Sequence, residues 1–226
     1  MEAWEKLQAE MRACRLCLEA GHDIVPGAVF AGSAGARVML IGQAPGVTEV
    51  EAKRPFNASS GRRLFKWLGA AGWQEDDFRG RHYMTAVTKC FPGKAAGGKG
   101  DRVPSKKEQK LCRPFLEREI KLVSPEVMIL VGGLAIKLLY PRKWKLTQII
   151  GTAVYWSDEQ LAEGKLFAWK KGKLMDHYRP DWRGGRWVVP LPHPSGASLW
   201  PNKESNKQLI RRAVSMLSEM REEMTL

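Results

Sequence analysis

Val38-Met39-Leu40-Ile41-Gly42-Gln43-Ala44-Pro45-Gly46 sets four consecutive apolar residues directly before a Gly-Gln-Ala-Pro-Gly turn. Such a run reads as a buried strand whose end opens into a loop of exposed backbone. In open α/β sheets, ligands sit outside the carboxyl ends of the strands. Gly42–Gly46 is therefore the first candidate binding loop, and its weight depends on whether other strand ends can join it.

Three further strands are expected on either side. Tyr83–Thr88 combines β-branched and aromatic residues. Val127–Val131 runs into Gly132-Gly133 and a helix over Leu134–Tyr140, and Trp187–Leu191 ends in Pro192-His193-Pro194-Ser195-Gly196. Helices are expected between them. Trp4, Leu7, Met11 and Cys14 recur at helical spacing, and Ser60 can cap a helix carrying Leu64, Phe65 and Leu68, closed by Gly69 and Gly72. Ser105 and Glu108 form an S-x-x-E capping box before a helix with Leu111, Phe115 and Leu122 as its buried stripe. A closing helix from about Ser205 turns Leu209, Ile210, Ala213, Leu217 and Met220 inward.

Strands alternating with helices imply a mostly parallel sheet covered on both faces. The expected fold is α/β, a three-layer α/β/α arrangement around a sheet of about four strands, with residues 1–226 as one domain. Residues 94–102 read as a mobile basic loop. Residues 141–186 are basic, hold Trp144, Trp156, Trp169 and Trp182, and show no sustained period. They are expected to form an insertion with one hairpin.

An apolar content of 44% fits a soluble globular protein. The longest apolar run, from Val127, stops at Gly132-Gly133, short of the roughly 20 residues of a membrane span. The charged start Met1-Glu2-Ala3-Trp4-Glu5-Lys6 lacks a signal-peptide core. A cytoplasmic monomer with no membrane contact is expected. Thirty-seven Lys and Arg against 24 Asp and Glu leave a net charge of +13, which favours polyanionic partners, nucleic acid first. Basic surface mixed with nine Trp suits single strands or flipped bases.

The four cysteines fall as Cys14-x-x-Cys17, Cys90 and Cys112. In an intracellular chain, a C-x-x-C pair with two distant partners is a metal or cluster pattern. Spacing alone does not choose between zinc and iron–sulfur, and the plainer alternative makes Cys90 and Cys112 core thiols.

The Gln43 loop, the loop Arg54-Pro55-Phe56-Asn57 and the His193 loop can meet at one sheet edge, offering an amide, an aromatic face and an imidazole. There is no recognisable nucleophile–base pair and no phosphate-binding glycine fingerprint. The set suits a flat polar ring, stacked on Phe56 and hydrogen-bonded at its rim.

Taken together, these motifs resemble the iron–sulfur uracil-DNA glycosylases, families four and five of that superfamily. Those enzymes use a strand-end G-x-A-P-G, a following P-F, a T-x-x-x-[KR]-C segment and a late H-P-S loop. Here these are Gly42–Gly46, Pro55-Phe56, Thr85–Cys90 and His193-Pro194-Ser195, in the same order. The resemblance implies a monofunctional DNA glycosylase that hydrolyses the N-glycosidic bond of uracil and leaves an abasic site. It implies that Cys14, Cys17, Cys90 and Cys112 bind a [4Fe-4S] cluster as a structural staple, and that Phe56 stacks on the flipped base. It further implies that His193 reaches a base carbonyl oxygen, that Gly42, Ala44, Ala86 and Ser195 line the base pocket, and that Leu199 or Trp200 is the wedge entering the duplex.

Three departures matter. Gln43 stands where family four commonly has Glu and family five an apolar residue; it can orient water but cannot act as a general base. Ala86 replaces family four's pyrimidine-reading Asn, as in family five, so tolerance of other deaminated bases such as hypoxanthine is expected. Asn57-Ala58-Ser59-Ser60-Gly61 lacks the Asp that family five carries after P-F, leaving Asn57 as the polar candidate there. These missing carboxylates keep open an alternative, a non-catalytic DNA-binding protein of the same fold; a zinc-ribbon-like binding module is a third reading.

Overall fold

The computed structural model describes residues 1–98, 100–162, 172–196 and 198–226. Trp169 of the tryptophan-rich region, Lys99 of the basic loop and Ala197 of the His193 loop lie outside them. The elements in chain order are α1 (Glu2–Ala13), α2 (Leu16–Glu19), β1 (Val38–Gly42), α3 (Val47–Ala52), α4 (Ser59–Ala70), α5 (Glu75–Arg81), β2 (Tyr83–Ala86), α6 (Lys106–Val123), β3 (Val127–Val131), α7 (Gly133–Ile136), α8 (Leu146–Ile149), β4 (Ala153–Trp156), α9 (Asp158–Ala162), β5 (Lys173–Met175), β6 (Arg186–Leu191) and α10 (Glu204–Glu223).

The four expected strands, β2, β1, β3 and β6, lie side by side in one sheet of order β2-β1-β3-β6-β4-β5. β2, β1, β3 and β6 run parallel, with Leu40 beside Met84 and Ile129, and Ile129 beside Val189. Every residue of these four strands is buried. A strand is apolar at successive positions only where helices cover both faces, and α1 against α6 and α4 against α10 supply that cover.

Among the described residues the sheet has six strands, not four. Both additions come from the region read as an insertion. β4 pairs antiparallel with β6 and with β5, so the expected hairpin extends the sheet instead of standing apart from it. Tyr155, Trp182 and Trp187 pack together there, with centroids 4.8–6.0 Å apart.

α6 corrects a second expectation. The Ser105–Glu108 capping box is present, but the buried stripe is Leu116, Glu119, Ile120 and Val123, one position round from the residues predicted. Leu111 and Phe115 face a separate cavity lined by the cysteines. The basic loop after Phe91 is pinned at its base, because Lys94 and Asp101 form an antiparallel bridge and a 2.7 Å ion pair.

Candidate active site

Three parallel strands, β1, β3 and β6, end side by side. The segments that follow them line a cleft of about 480 Å³, within the range of small-ligand sites. Gly42, Gln43, Ala44, Phe56, Ala86, His193 and Ser195 all line it. Asn57 does not; its side chain is exposed beside the cleft.

The Phe56 ring rests on the last residue of β1. A Cβ at Gly42 would come within 2.7 Å of its Cζ, so only glycine lets the ring lie this close to the strand end. Opposite, His193 lies against Gly132, whose φ of +86° suits the turn from β3 into α7. A Cβ at Gly132 would meet His193 Cδ2 at 2.9 Å. The Ser195 amide donates to His193 Nδ1 at 3.2 Å. An Nδ1 that accepts places the proton of the neutral ring on Nε2. Burial lowers the His193 pKa, so at neutral pH the imidazole is uncharged and offers Nε2–H as a donor. Arg63 of α4 steadies this loop through the Ser195 carbonyl at 3.4 Å.

Two carboxylates that sequence reasoning missed also line the cleft, Glu49 and Asp101. Glu49 sits in the first turn of α3, where Oε2 accepts from Gly46 N at 2.6 Å and Oε1 accepts from Phe56 N. Burial raises its pKa, against the pull of backbone amides at Gly46, Phe56 and Asn57. Both oxygens are thus engaged in joining the two loops that form the pocket walls. Asp101 is held by Lys94.

Of the two residues expected to include the wedge, Leu199 is 73% exposed, whereas Trp200 begins a short 3-10 turn and packs on the main core.

The cysteines converge on a second site. Cys14 follows α1, Cys17 lies in α2, Cys90 lies past β2 and Cys112 sits on α6, and all four line one cavity with Ile24, Leu111 and Phe115. Burial, and then the neighbouring Cys90, Glu108 and Cys14, push Cys17 up to about 11; burial pushes Cys112 up to about 12. A bound cation reverses such shifts. Thiolates around a single zinc sit about 3.8 Å apart, from Zn–S bonds of about 2.3 Å. Among the described residues no group of three or more His, Cys, Asp or Glu is gathered so as to hold a metal ion. All four thiols line this one cavity, and among the described residues Thr88 Oγ1, buried in the same wall, has no hydrogen-bond partner. Four soft donors around one apolar cavity fit a thiolate-held metal centre, zinc or iron–sulfur.

Between the two sites lies a buried ionic network. Lys89 Nζ meets Glu119 Oε2 at 2.5 Å and Thr85 Oγ1 at 2.8 Å, and Tyr83 Oη donates to Glu119 Oε1 at 2.7 Å. Glu119 is completely buried. A charge so placed is tolerated only when paired and hydrogen-bonded, so this network fixes the β2 end that separates the cleft from the cysteines.

Comparison of the sequence with known proteins finds relatives. A sequence model described as the Uracil DNA glycosylase superfamily matches residues 29–218. The chain is 26% identical over 205 residues to the Type-4 uracil-DNA glycosylase of Sulfurisphaera tokodaii, covering 89% of this chain and 79% of that protein. It is 26% identical over 196 residues to the Type-4 uracil-DNA glycosylase of Thermotoga maritima, covering 86% and 81%. A match to that of Pyrobaculum aerophilum reaches 34% over 102 residues, covering 45% and 47%.

Proposed function

The chain belongs to the uracil DNA glycosylase superfamily, and from that membership we propose that it hydrolyses the N-glycosidic bond of uracil in DNA, leaving an abasic site. The observation that carries this reading is the pairing of an aromatic face at Phe56 with a neutral imidazole donor at His193 across one cleft. A flipped uracil stacks on Phe56, and His193 Nε2–H donates to a base carbonyl oxygen. As the C1′–N1 bond breaks, its electron pair passes to the base. The donor then faces a growing negative charge, which strengthens the bond in the transition state; comparable oxyanion donors contribute about 3–4 kcal/mol. Water adds to the cationic C1′, oriented by the Gln43 amide, and its proton passes to solvent. Both Glu49 oxygens hold backbone amides and one Asp101 oxygen holds Lys94, and we assign the route as dissociative, with water adding after the glycosidic bond has broken.

Ala86 presents no hydrogen-bonding group to the base edge, and a pocket without such a partner discriminates weakly. Hypoxanthine is accordingly a second, slower substrate. Leu199 is the wedge, because its side chain is free to enter the duplex. Cys14, Cys17, Cys90 and Cys112 would hold a [4Fe-4S] cluster whose contribution is to pin α1 and α2 to β2 and α6. The net charge of +13 supplies phosphate contacts.

Incubation with a uracil-containing oligonucleotide followed by alkaline cleavage tests the proposal. Strand scission at uracil that is slowed in His193→Ala is expected. Tight DNA binding without scission would replace the enzyme by a non-catalytic DNA-binding protein.

A further inference from the structure

A ring that stacks on a flat base must be held at one angle, yet Phe56 occupies a backbone conformation that a residue with a side chain seldom adopts alone. Its φ is +52°, in the left-handed region that is costly for any residue with a Cβ. The surroundings hold it there. A Cβ at Gly61 would overlap the Phe56 carbonyl oxygen, so the first turn of α4 closes on that carbonyl only as glycine. The Phe56 amide donates to Glu49 Oε1, while Glu49 Oε2 takes the Gly46 amide at 2.6 Å. From the other direction, Arg79 of α5 donates through Nη2 to the Phe56 carbonyl at 3.0 Å and through Nη1 to the Pro55 carbonyl at 2.8 Å. Arg79 is itself fixed by Glu75 at 2.8 Å and by the Phe65 ring 4.4 Å away, and its side chain is only 12% exposed.

We propose that Glu49 and Arg79 are positioning residues that clamp the strained Phe56 backbone, one at its N–H and one at its C=O, and so set the plane on which the base stacks. The inference rests on the reading of Phe56 as the stacking face. Arg79 lines no part of the cleft and reaches it through the Pro55 and Phe56 carbonyls. The bidentate grip explains why an arginine stands there, since a lysine can reach one carbonyl but lacks the planar fork for both.

Glu49→Gln preserves size but turns an NH2 group toward a backbone N–H, leaving one of the two amides without an acceptor. Single-turnover excision by Glu49→Gln and Arg79→Lys should fall on the order of a hundredfold, as expected for an angstrom-scale misplacement. In a Phe56→Ala background neither substitution should slow excision further. An equal factor in both backgrounds, or wild-type rates in folded Glu49→Gln and Arg79→Lys, overturns the proposal. Crystal structures of the two variants give a readout independent of activity: Phe56 should leave positive φ in at least one. If the wild-type protein excises no uracil, the proposed function fails while these structures still decide the clamp, and an unchanged Phe56 in both refutes it. Should one variant not fold, the other carries the same comparison.

Discussion

Replacing Gly132 by Ala asks whether His193 works from the position it occupies. An added Cβ at Gly132 would stand 2.9 Å from His193 Cδ2 and 3.4 Å from its Cβ. Carbon atoms rest about 3.5–4.0 Å apart, so the ring must retreat by roughly 0.6 Å or more. A donor bond of about 2.9 Å to the leaving base would then stretch to about 3.5 Å, where little of it survives. A displacement of this kind costs about 10²-fold in rate, approaching the ~10²–10³ of deleting an oxyanion donor outright. Stability should drop far less. The positive φ costs alanine about 1–2 kcal/mol, a melting shift of about 2–8 °C for a chain of this size. Single-turnover excision from a uracil duplex at saturating enzyme, measured beside His193→Ala and a melting curve, separates the two effects. A folded Gly132→Ala protein that excises at the wild-type rate would refute the assignment of His193 as the donor.

Three further outcomes follow from the same geometry. His82 is 3% exposed, boxed edge-to-face by Trp73 and Phe78, and among the described residues neither ring nitrogen has a hydrogen-bond partner; burial lowers its pKa from 6.5 to about 4. The unfolded chain binds this proton below about pH 6.5 and the folded one only near pH 4, so stability falls across that window, by about 2 kcal/mol at pH 5. Urea unfolding of wild type and His82→Phe at pH 7 and 5 checks this, and the same acid loss in both proteins counts against it. Anaerobically purified protein should be brown with near-stoichiometric iron, and Cys112→Ala should lose both colour and cooperative unfolding; a colourless zinc protein would contradict the cluster. Leu199→Ala should slow excision from duplex more than from single-stranded DNA, because only the duplex needs a wedge, and equal slowing on both removes Leu199 from that role.

The parallel centre of the sheet was legible because β1, β3 and β6 are near-continuous apolar runs, the signature of strands covered on both faces. β5 was not. Lys173 and Leu174 are exposed and the strand is three residues long, so neither period nor burial marks it. The α6 stripe shifted by one because the helix has two apolar faces, one on the core and one toward the cysteines, and a single-period reading merges them. Among site residues, Gln43, Phe56, Ala86 and His193 follow strand ends or carry recognisable motifs. Glu49 escaped because V-T-E-V-E-A reads as an ordinary polar helix start; that both its oxygens accept backbone amides is a property of the folded loops. Arg79 was invisible for the same reason, since its partners at Pro55 and Phe56 are carbonyls that every residue possesses.

The placement of the cysteines also bears on how the protein is made. Cys14 and Cys17 leave the ribosome before Cys90 and Cys112, but the cavity that receives them is closed by Cys112 on α6. Roughly 100 residues separate the two ends of that enclosure, which at synthesis rates of about 5–20 residues per second is a delay of about 5–20 s. During it the leading thiol pair hangs on a nascent helix with no complementary wall, open to oxidation or to capture of a stray ion. α1 therefore cannot complete its docking until α6 has been made. A cell producing this protein must keep its earliest thiols reduced and unclaimed until the body of the fold exists to receive them.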